Sequence, residues 1–197
     1  MSRYRGPKLK IVRRLGQDLP GFTKKQYLES KKRKTKLSEY AVRLQEKQKL
    51  RFNYGVTESQ LVTYIKLAKK KKGATGEILL QLLEMRLDNI IFKFGIAPTI
   101  ASARQLISHG HILINNERVN IPGYQCKVKD QISVSKKPNL RQLITKFFSE
   151  SESRIIPSHL SFNESSLDGK INSIVSRESI ALPLNELLII EYYSRRV

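Results

Sequence analysis

The sequence predicts an α+β protein: a helical domain and a small module of two helices on a twisted β meander, led by a basic N-terminal extension. Three observations carry this. Between Arg86 and Ser149 the hydrophobic spacing changes from helical to alternating, with polar turns at each change. The stretches before and after the module keep helical spacing. Charge is uneven: residues 1–72 hold 22 Lys and Arg against 5 Asp and Glu, whereas residues 73–197 hold 15 against 12.

Taken in order, residues 1–36 set Gly6, Pro7, Gly16, Pro20 and Gly21 among basic residues, and no helical or strand period survives that punctuation. Such a segment cannot bury enough apolar area to offset its ordering entropy, so it is expected to be disordered when free and to fold against an anionic surface. From Leu37 the chain turns helical; Tyr40 to Phe52 alternates charges at short spacing, and Gly55 is the stop. Thr57-Glu58-Ser59-Gln60 is a capping-box pattern that opens a helix with Leu61, Ile65 and Ala68 on one face. Lys69-Lys70-Lys71-Lys72 ends it, where cations favour the helix dipole in any protein. Gly73 to Gly76 reads as a flexible joint, without the spacing or the Lys-Ser/Thr of a nucleotide loop. Glu77 to Phe94 is apolar enough to be one buried central helix.

In the module, Ile90, Ile91 and Phe94 end a helix at Gly95, and Thr99 caps a second with Ile100, Ala103, Leu106 and Ile107 as its apolar face. Gly110 stops that helix. Ile112 and Ile114 alternate, Asn115-Asn116 is a two-residue turn, and Val119 and Ile121 continue on the far side. Tyr124, Cys126 and Val128 alternate again, then Ile132 and Val134 after a Lys129-Asp130 turn. Glu150 to Asp168 is polar, Ser-rich and expected to be an irregular wrap; Ile171, Ile174 and Val175 hint at a short helical turn. Leu184 to Tyr193 is a final apolar helix with Asn185 near its start. The domain boundaries expected are 1–39 for the extension, 40–85 for the helical domain and 86–149 for the module.

A chain of 197 residues with 40% hydrophobic content can build a real core. Its net charge of +20 and pI near 10.2 predict a polyanionic partner, nucleic acid or an anionic membrane surface. No run of about 18 apolar residues could span a bilayer, and no signal peptide follows Met1, so membrane attachment is not expected. Cys126 is the single cysteine, which excludes an internal disulfide framework and a Cys-rich zinc site.

The residues expected to meet a nucleic-acid partner follow from charge and placement. In the extension they are Arg3, Arg5, Lys8, Lys10, Arg13, Arg14, Lys24, Lys25, Lys31, Lys32, Arg33 and Lys34. In the helices they are Arg43, Lys47, Arg51, Lys69, Lys70, Lys71 and Lys72. In the module, Arg104 and Arg118 are favoured because a guanidinium can bridge phosphate oxygens with a planar donor fork; a weak surface pair of Arg118 with Glu117 is the alternative. Gln105 neighbours Arg104. His109 and His111 flank Gly110, where capping and dipole effects or RNA contacts both explain a histidine. Asn115 suits a turn, since Asn tolerates positive φ, and also lies near the basic hairpin. Lys127, Lys129, Lys136 and Lys137 extend the patch. Two histidines across a helix stop fall short of a zinc site, so no metal is expected. Nor is a cofactor or small-molecule substrate, because Ser, His and Asp form no recognisable triad.

Residues RLDNIIFKFGIAPTIASARQLISHGHILINNERVNIPGY resemble the RNA-binding module that defines ribosomal protein four of the small subunit. MSRYRGPKLKIVRRLG, LRFNYGVTESQL, GATGEILLQLLEMRLDN and LNELLIIEYYSRR extend the resemblance in collinear order to the cyanobacterial and plastid versions. The resemblance implies that the C-terminal helix returns to the N-terminal helices, so that 150–197 completes a discontinuous helical domain. It implies binding to a multi-helix junction in the 5′ domain of small-subunit ribosomal RNA, an early role in assembly and an effect on decoding accuracy. Implied partners are ribosomal protein five and messenger RNA where it enters the subunit. The implied location is the chloroplast stroma within the ribosome, otherwise a bacterial cytoplasm; with no transit peptide before Met1, an organelle-encoded protein is expected. Two departures stand out. The Pro-Gly-Gln-His-Gly segment of many members and the N-terminal cysteine cluster of some are missing around Ser30 to Leu37, and Asn116 stands where Gly is usual.

A free RNA-binding regulator or stress factor built on the same module is the alternative. A remoter one is a pseudouridine-synthase-like enzyme, because Arg86-Leu87-Asp88 resembles the segment around the catalytic aspartate of those enzymes. Asn89-Ile90-Ile91 then replaces their polar turn, and Asp88 reads equally as an inter-helix contact or a pair with Arg86.

Overall fold

Lys8–Leu15 forms helix α1 in the part of the chain that the sequence reads as unstructured. The computed structural model describes Tyr4 and residues 6–25, 37–149, 156–180 and 182–194. Pro7, with φ −66°, precedes α1, and Gly16, at φ +65°, returns its N–H to the Val12 carbonyl at 2.9 Å. Eight residues are too few for a helix to persist alone in water; tertiary contacts hold this one. Val12, Leu15 and Leu19 are buried, and each contributes roughly 1.5–3 kcal/mol of transfer free energy. The Gln45 amide donates to the Leu15 carbonyl at 2.9 Å, and Asn53 Oδ1 accepts the Gly21 N–H at 3.1 Å. Tyr4, Phe22 and Phe52 form an aromatic cluster with centroids 5.5–6.0 Å apart. The expectation of a disordered arm is thus corrected for 6–25: the apolar spacing is short but its partners are supplied from elsewhere in the chain.

The described chain divides into two compact units, 1–80 with 181–197, and 81–180. In the first, α2 (Glu39–Asn53) is capped by Ser38, and α3 (Glu58–Lys70) carries the capping box expected from Thr57 and Gln60. The last helix, α8 (Glu186–Ser194), starts where Asn185 Oδ1 accepts the N–H groups of Leu187 and Leu188. It packs on α2 and is tied by Arg43 Nε to Glu191 at 2.8 Å. Its Tyr193 hydroxyl donates to Glu58, which also accepts from Lys47 Nζ at 3.0 Å. Burial pushes Glu58 up, but those two donors outweigh it and hold the carboxyl below its ordinary value. The Gly73 to Gly76 stretch is no joint throughout. Helix α4 (Thr75–Glu84) already contains Gly76, where a Cβ would sit 2.6 Å from that of Glu186.

The single central helix expected over 77–94 is broken at Arg86, whose ψ of 140° is extended. α5 (Leu87–Lys93) then begins anew. The break is stabilised by a strand-like bridge between Arg86 and Gln125, and by Leu87 and Asp88 N–H groups donating to the carbonyls of Tyr124 and Pro122. Consequently Tyr124 to Val128 is a strap on the helix break rather than the strand that its alternation predicts. α6 (Ile100–Ser108) is capped by Thr99 as expected.

The second unit holds a five-stranded antiparallel sheet among the described residues, in the order β2-β1-β3-β5-β4. These strands are β1 (Ile112–Ile114), β2 (Glu117–Arg118), β3 (Gln131–Val134), β4 (Leu160–Asn163) and β5 (Asp168–Ile171). β2 stops before Val119 and Ile121, and Ile121 is exposed. β5 pairs with β3 through Ile132 and Gly169. This corrects the boundary drawn at 149 and the irregular wrap: 160–171 is a hairpin of the module's own sheet. Its polar turn is closed by Asn163 Oδ1, which accepts from the backbone and hydroxyl of Ser165. Gly169 makes room for Phe94, whose Cζ would lie 2.3 Å from an added Cβ. Phe94 stacks on Phe162 with centroids 4.9 Å apart. Between β3 and β4 lies α7 (Pro138–Ser149). After β5 a 3-10 turn spans Arg177–Ser179 rather than 171–175.

Candidate nucleic-acid interface

The end of α6 builds the corner on which the cations of the module gather. The Gly110 N–H donates to the Ile107 carbonyl at 2.8 Å and the His111 N–H to the Leu106 carbonyl at 3.1 Å, a Schellman ending. Gly110, at φ +69°, occupies the left-handed position that this ending requires. The chain then enters β1, turns at Asn115 (φ 51°) and Asn116 (φ 69°), and returns as β2 with Arg118 opposite Leu113. Positive φ at both central residues gives the hairpin the twist its strands need.

That register lays the Arg118 side chain over Gly110. A Cβ there would meet Arg118 Cδ at 2.8 Å and Nε at 3.3 Å. The His109 and His111 rings meet each other edge to face, with centroids 5.9 Å apart. Burial, then the charges of Lys137, His109 and Arg118, lower the pKa of His111, so its ring is neutral at neutral pH. Gln105, His109, Arg118, Lys127, Lys129, Lys136 and Lys137 are exposed. Lys129 has φ 77° and donates its N–H to the Ile171 carbonyl at 2.8 Å. Lys127 is set by its N–H to Asp130 at 2.7 Å.

Several residues expected at RNA are used inside the protein instead. Arg104 donates from Nε to Asp88 Oδ2 at 2.7 Å, and its side chain is only 11% exposed. Asp88 is fully buried and also takes Arg86 Nε at 3.0 Å and Nη2 at 2.8 Å. A buried carboxylate must be paired to stay charged, and that requirement claims Arg104. It also removes Asp88 from any catalytic reading. Asn115 is spent on the turn: its amide donates to Asp130 Oδ1 and its oxygen accepts the Gln131 N–H, both at 3.0 Å. Lys47 is buried between Glu58 and the Tyr192 ring. Arg43 bridges Glu39 and Glu191.

The first unit still presents cations. Lys10, Arg13 and Arg14 are exposed on α1, Lys24 and Lys25 beyond it, and Lys69 to Lys72 at the end of α3. Lys8 lies over Phe22 at 5.4 Å and Arg51 over Phe52 at 5.5 Å. Arg3, Arg5, Lys31, Lys32, Arg33 and Lys34 lie outside the described residues. Among the described residues no group of three or more His, Cys, Asp or Glu could hold a metal ion, and no helix is long and apolar enough to cross a membrane.

Comparison with known proteins bears on the same two parts of the chain. Residues 3–84 match the family described as "Ribosomal protein S4/S9 N-terminal domain", and 85–132 match the "S4 domain". The chain is 58% identical to the "Small ribosomal subunit protein uS4c" of Chlorokybus atmophyticus, with 99% of each chain covered. It is 56% identical to that of Oltmannsiellopsis viridis, over 99% of this chain and 100% of the relative. For that of Marchantia polymorpha the figure is 53%, with both chains covered in full. An S4 domain carrying an exposed cationic corner defines an RNA-binding protein. The chain belongs to the ribosomal protein S4 family of the small subunit, in its plastid type, a family of structural proteins and not of enzymes.

Proposed function

We propose that this chain is a structural constituent of the plastid small ribosomal subunit that binds a multi-helix junction in the 5′ domain of the subunit's ribosomal RNA. On this reading it nucleates early assembly, neighbours ribosomal protein five and the channel by which messenger RNA enters, and supports decoding accuracy. The observation that carries the reading is the corner at Gly110, where the Arg118 stem lies against the glycine, the His109 and His111 rings meet edge to face, and Lys137 acts on His111 from nearby. Rigid backbone elements hold that group of donors at one place, which suits recognition of a folded RNA by shape. Duplex RNA hides its base edges in a deep, narrow major groove, so phosphates, 2′-hydroxyls and exposed bases are what such a surface can reach. The cations of α1 and α3 would supply further phosphate contacts in the first unit.

A salt titration tests it, using the 5′-domain junction and a plain duplex of equal length. For ~6 neutralised phosphates the log–log slope should be about −4 to −5. Junction binding that persists at a salt concentration releasing the duplex is the expected result. Equal affinities with equal slopes would reduce the interface to bare charge and favour a free RNA-binding regulator.

A further inference from the structure

A groove of about 570 Å³ lies between α6 and α7 in the second unit, adjoining the His109–His111 corner. Leu106, Leu143 and Phe147 give it an apolar floor, and Gln105, His109 and Lys137 are polar groups at its wall. None of its lining residues is acidic. Leu143 is 43% exposed, a large apolar side chain left in water on a cationic face. The Nδ1 atom of His111, which also lines the groove, is shut from solvent without a hydrogen-bond partner.

These features select one kind of occupant. The volume falls in the range of small-ligand sites, about 300–1,000 Å³. A duplex backbone would satisfy Lys137 but leave the apolar floor open. An apolar peptide would cover the floor but leave Lys137 without counter-charge. A single nucleotide carries both a flat apolar ring and a phosphate, and unpaired RNA bases splay out onto such surfaces. We propose that this groove receives one unstacked nucleotide of the bound RNA, its base over Leu143 and Phe147, its edge within reach of Gln105 and its phosphate at Lys137. The proposal rests on the RNA-binding function given above and adds a base pocket to what would otherwise be a phosphate-reading surface.

The test uses the full chain and a short single-stranded oligouridylate with 2-aminopurine at its centre. Leu143→Glu puts a carboxylate on the floor. Leu67→Glu, at an equally exposed leucine on α3, makes the same charge change elsewhere. Wild type and L67E should both change the 2-aminopurine fluorescence on binding. L143E should lose that change and bind about tenfold more weakly, in line with the worth of one base–side-chain stack. Leu143→Ser, a milder change, should lose part of the signal. An identical fluorescence change in wild type and L143E would overturn the pocket. So would self-association that L143E abolishes, because the groove would then belong to a second copy. The oligonucleotide arm is independent of the junction titration, so failure of junction preference and failure of the pocket are separately visible.

Discussion

Arg104 Nε lies 2.7 Å from Asp88 Oδ2, and Arg86 grips the same carboxylate from the other side. Two guanidinium groups on one fully buried aspartate lock α6 to the break between α4 and α5. The two sides of this cluster are unequal. Removing Asp88 takes from Arg86, itself 2% exposed, the carboxylate that its Nε and Nη2 both bond. Asp88→Ala should therefore destabilise by ~3–5 kcal/mol, the cost of breaking a buried pair by deleting one partner. Arg104→Ala leaves the Arg86–Asp88 pair intact and should cost about 1.5–3 kcal/mol. Urea denaturation of the two variants checks the order. Equal destabilisation of the two variants would show that Arg86 alone cannot hold the buried carboxylate.

Gly110 is required twice over, for its φ of +69° and for the Arg118 stem lying against it. Gly110→Ala should cost about 1–2 kcal/mol for the left-handed backbone alone, and it should also push Arg118 out of its seat. Combining it with Arg118→Ala relieves the steric part, so the double variant should be less destabilised than the sum of the singles. On RNA, Arg118→Ala should lower the magnitude of the salt slope by about 1 if it meets one phosphate. Additive stabilities with an unchanged slope would remove Arg118 from the interface.

The elements that could be read from sequence were those with local causes. Thr57-Gln60 and Thr99 announce helix starts because their side chains bond the next turn, and Asn115-Asn116 announces its hairpin because both residues tolerate positive φ. What could not be read depends on partners far along the chain. α1 and the turn after it are held by Gln45 at Leu15 and Asn53 at Gly21, and Arg86 breaks the central helix where Gln125 pairs with it. β4 and β5 were hidden by a polar Asn-Glu-Ser-Ser turn and by Gly169, whose place in the sheet is explained only by Phe94. The candidate site divides in the same way. Exposed lysines are found by counting charge. Arg104 and Lys47 carry the same charge, but a buried carboxylate and Glu58 hold them, and nothing local signals it. The groove wall on α7, Leu140, Leu143 and Phe147, stands at helical spacing to which the sequence reading assigns no helix, and its opposition to α6 has no local signal.

His159 is 3% exposed and its Nδ1 has no hydrogen-bond partner. Burial lowers its pKa, Glu84 partly opposes this and Lys93 adds to it. The folded protein therefore binds this proton less readily than the unfolded chain. Stability should be flat above the ordinary histidine range near ~6.5 and fall as pH drops from there to the depressed folded value. His111, also depressed, adds to the same trend. His159→Gln removes one titrating group, so its urea midpoint should fall less steeply than that of wild type between about pH 6.5 and 5. Parallel curves for the two proteins would mean that His159 does not contribute.

The N-terminal segment joins structure and charge in one helix, and the two can be separated. Val12 and Leu15 on α1 are buried, while Lys10, Arg13 and Arg14 face solvent. Deleting residues 1–36 would remove a buried face and many cations together, so a loss of RNA binding could not be assigned to either. Lys10→Gln, Arg13→Gln and Arg14→Gln in combination keep the buried face and the helix-forming character of the exposed one. This triple variant should melt close to wild type, since exposed changes of this kind shift stability by roughly 0.5 kcal/mol or less. Its RNA affinity should fall and its salt slope shrink by ~2–3, as three phosphate contacts are lost. An unchanged slope with unchanged melting would leave α1 a purely structural element and confine the interface to the remaining cations.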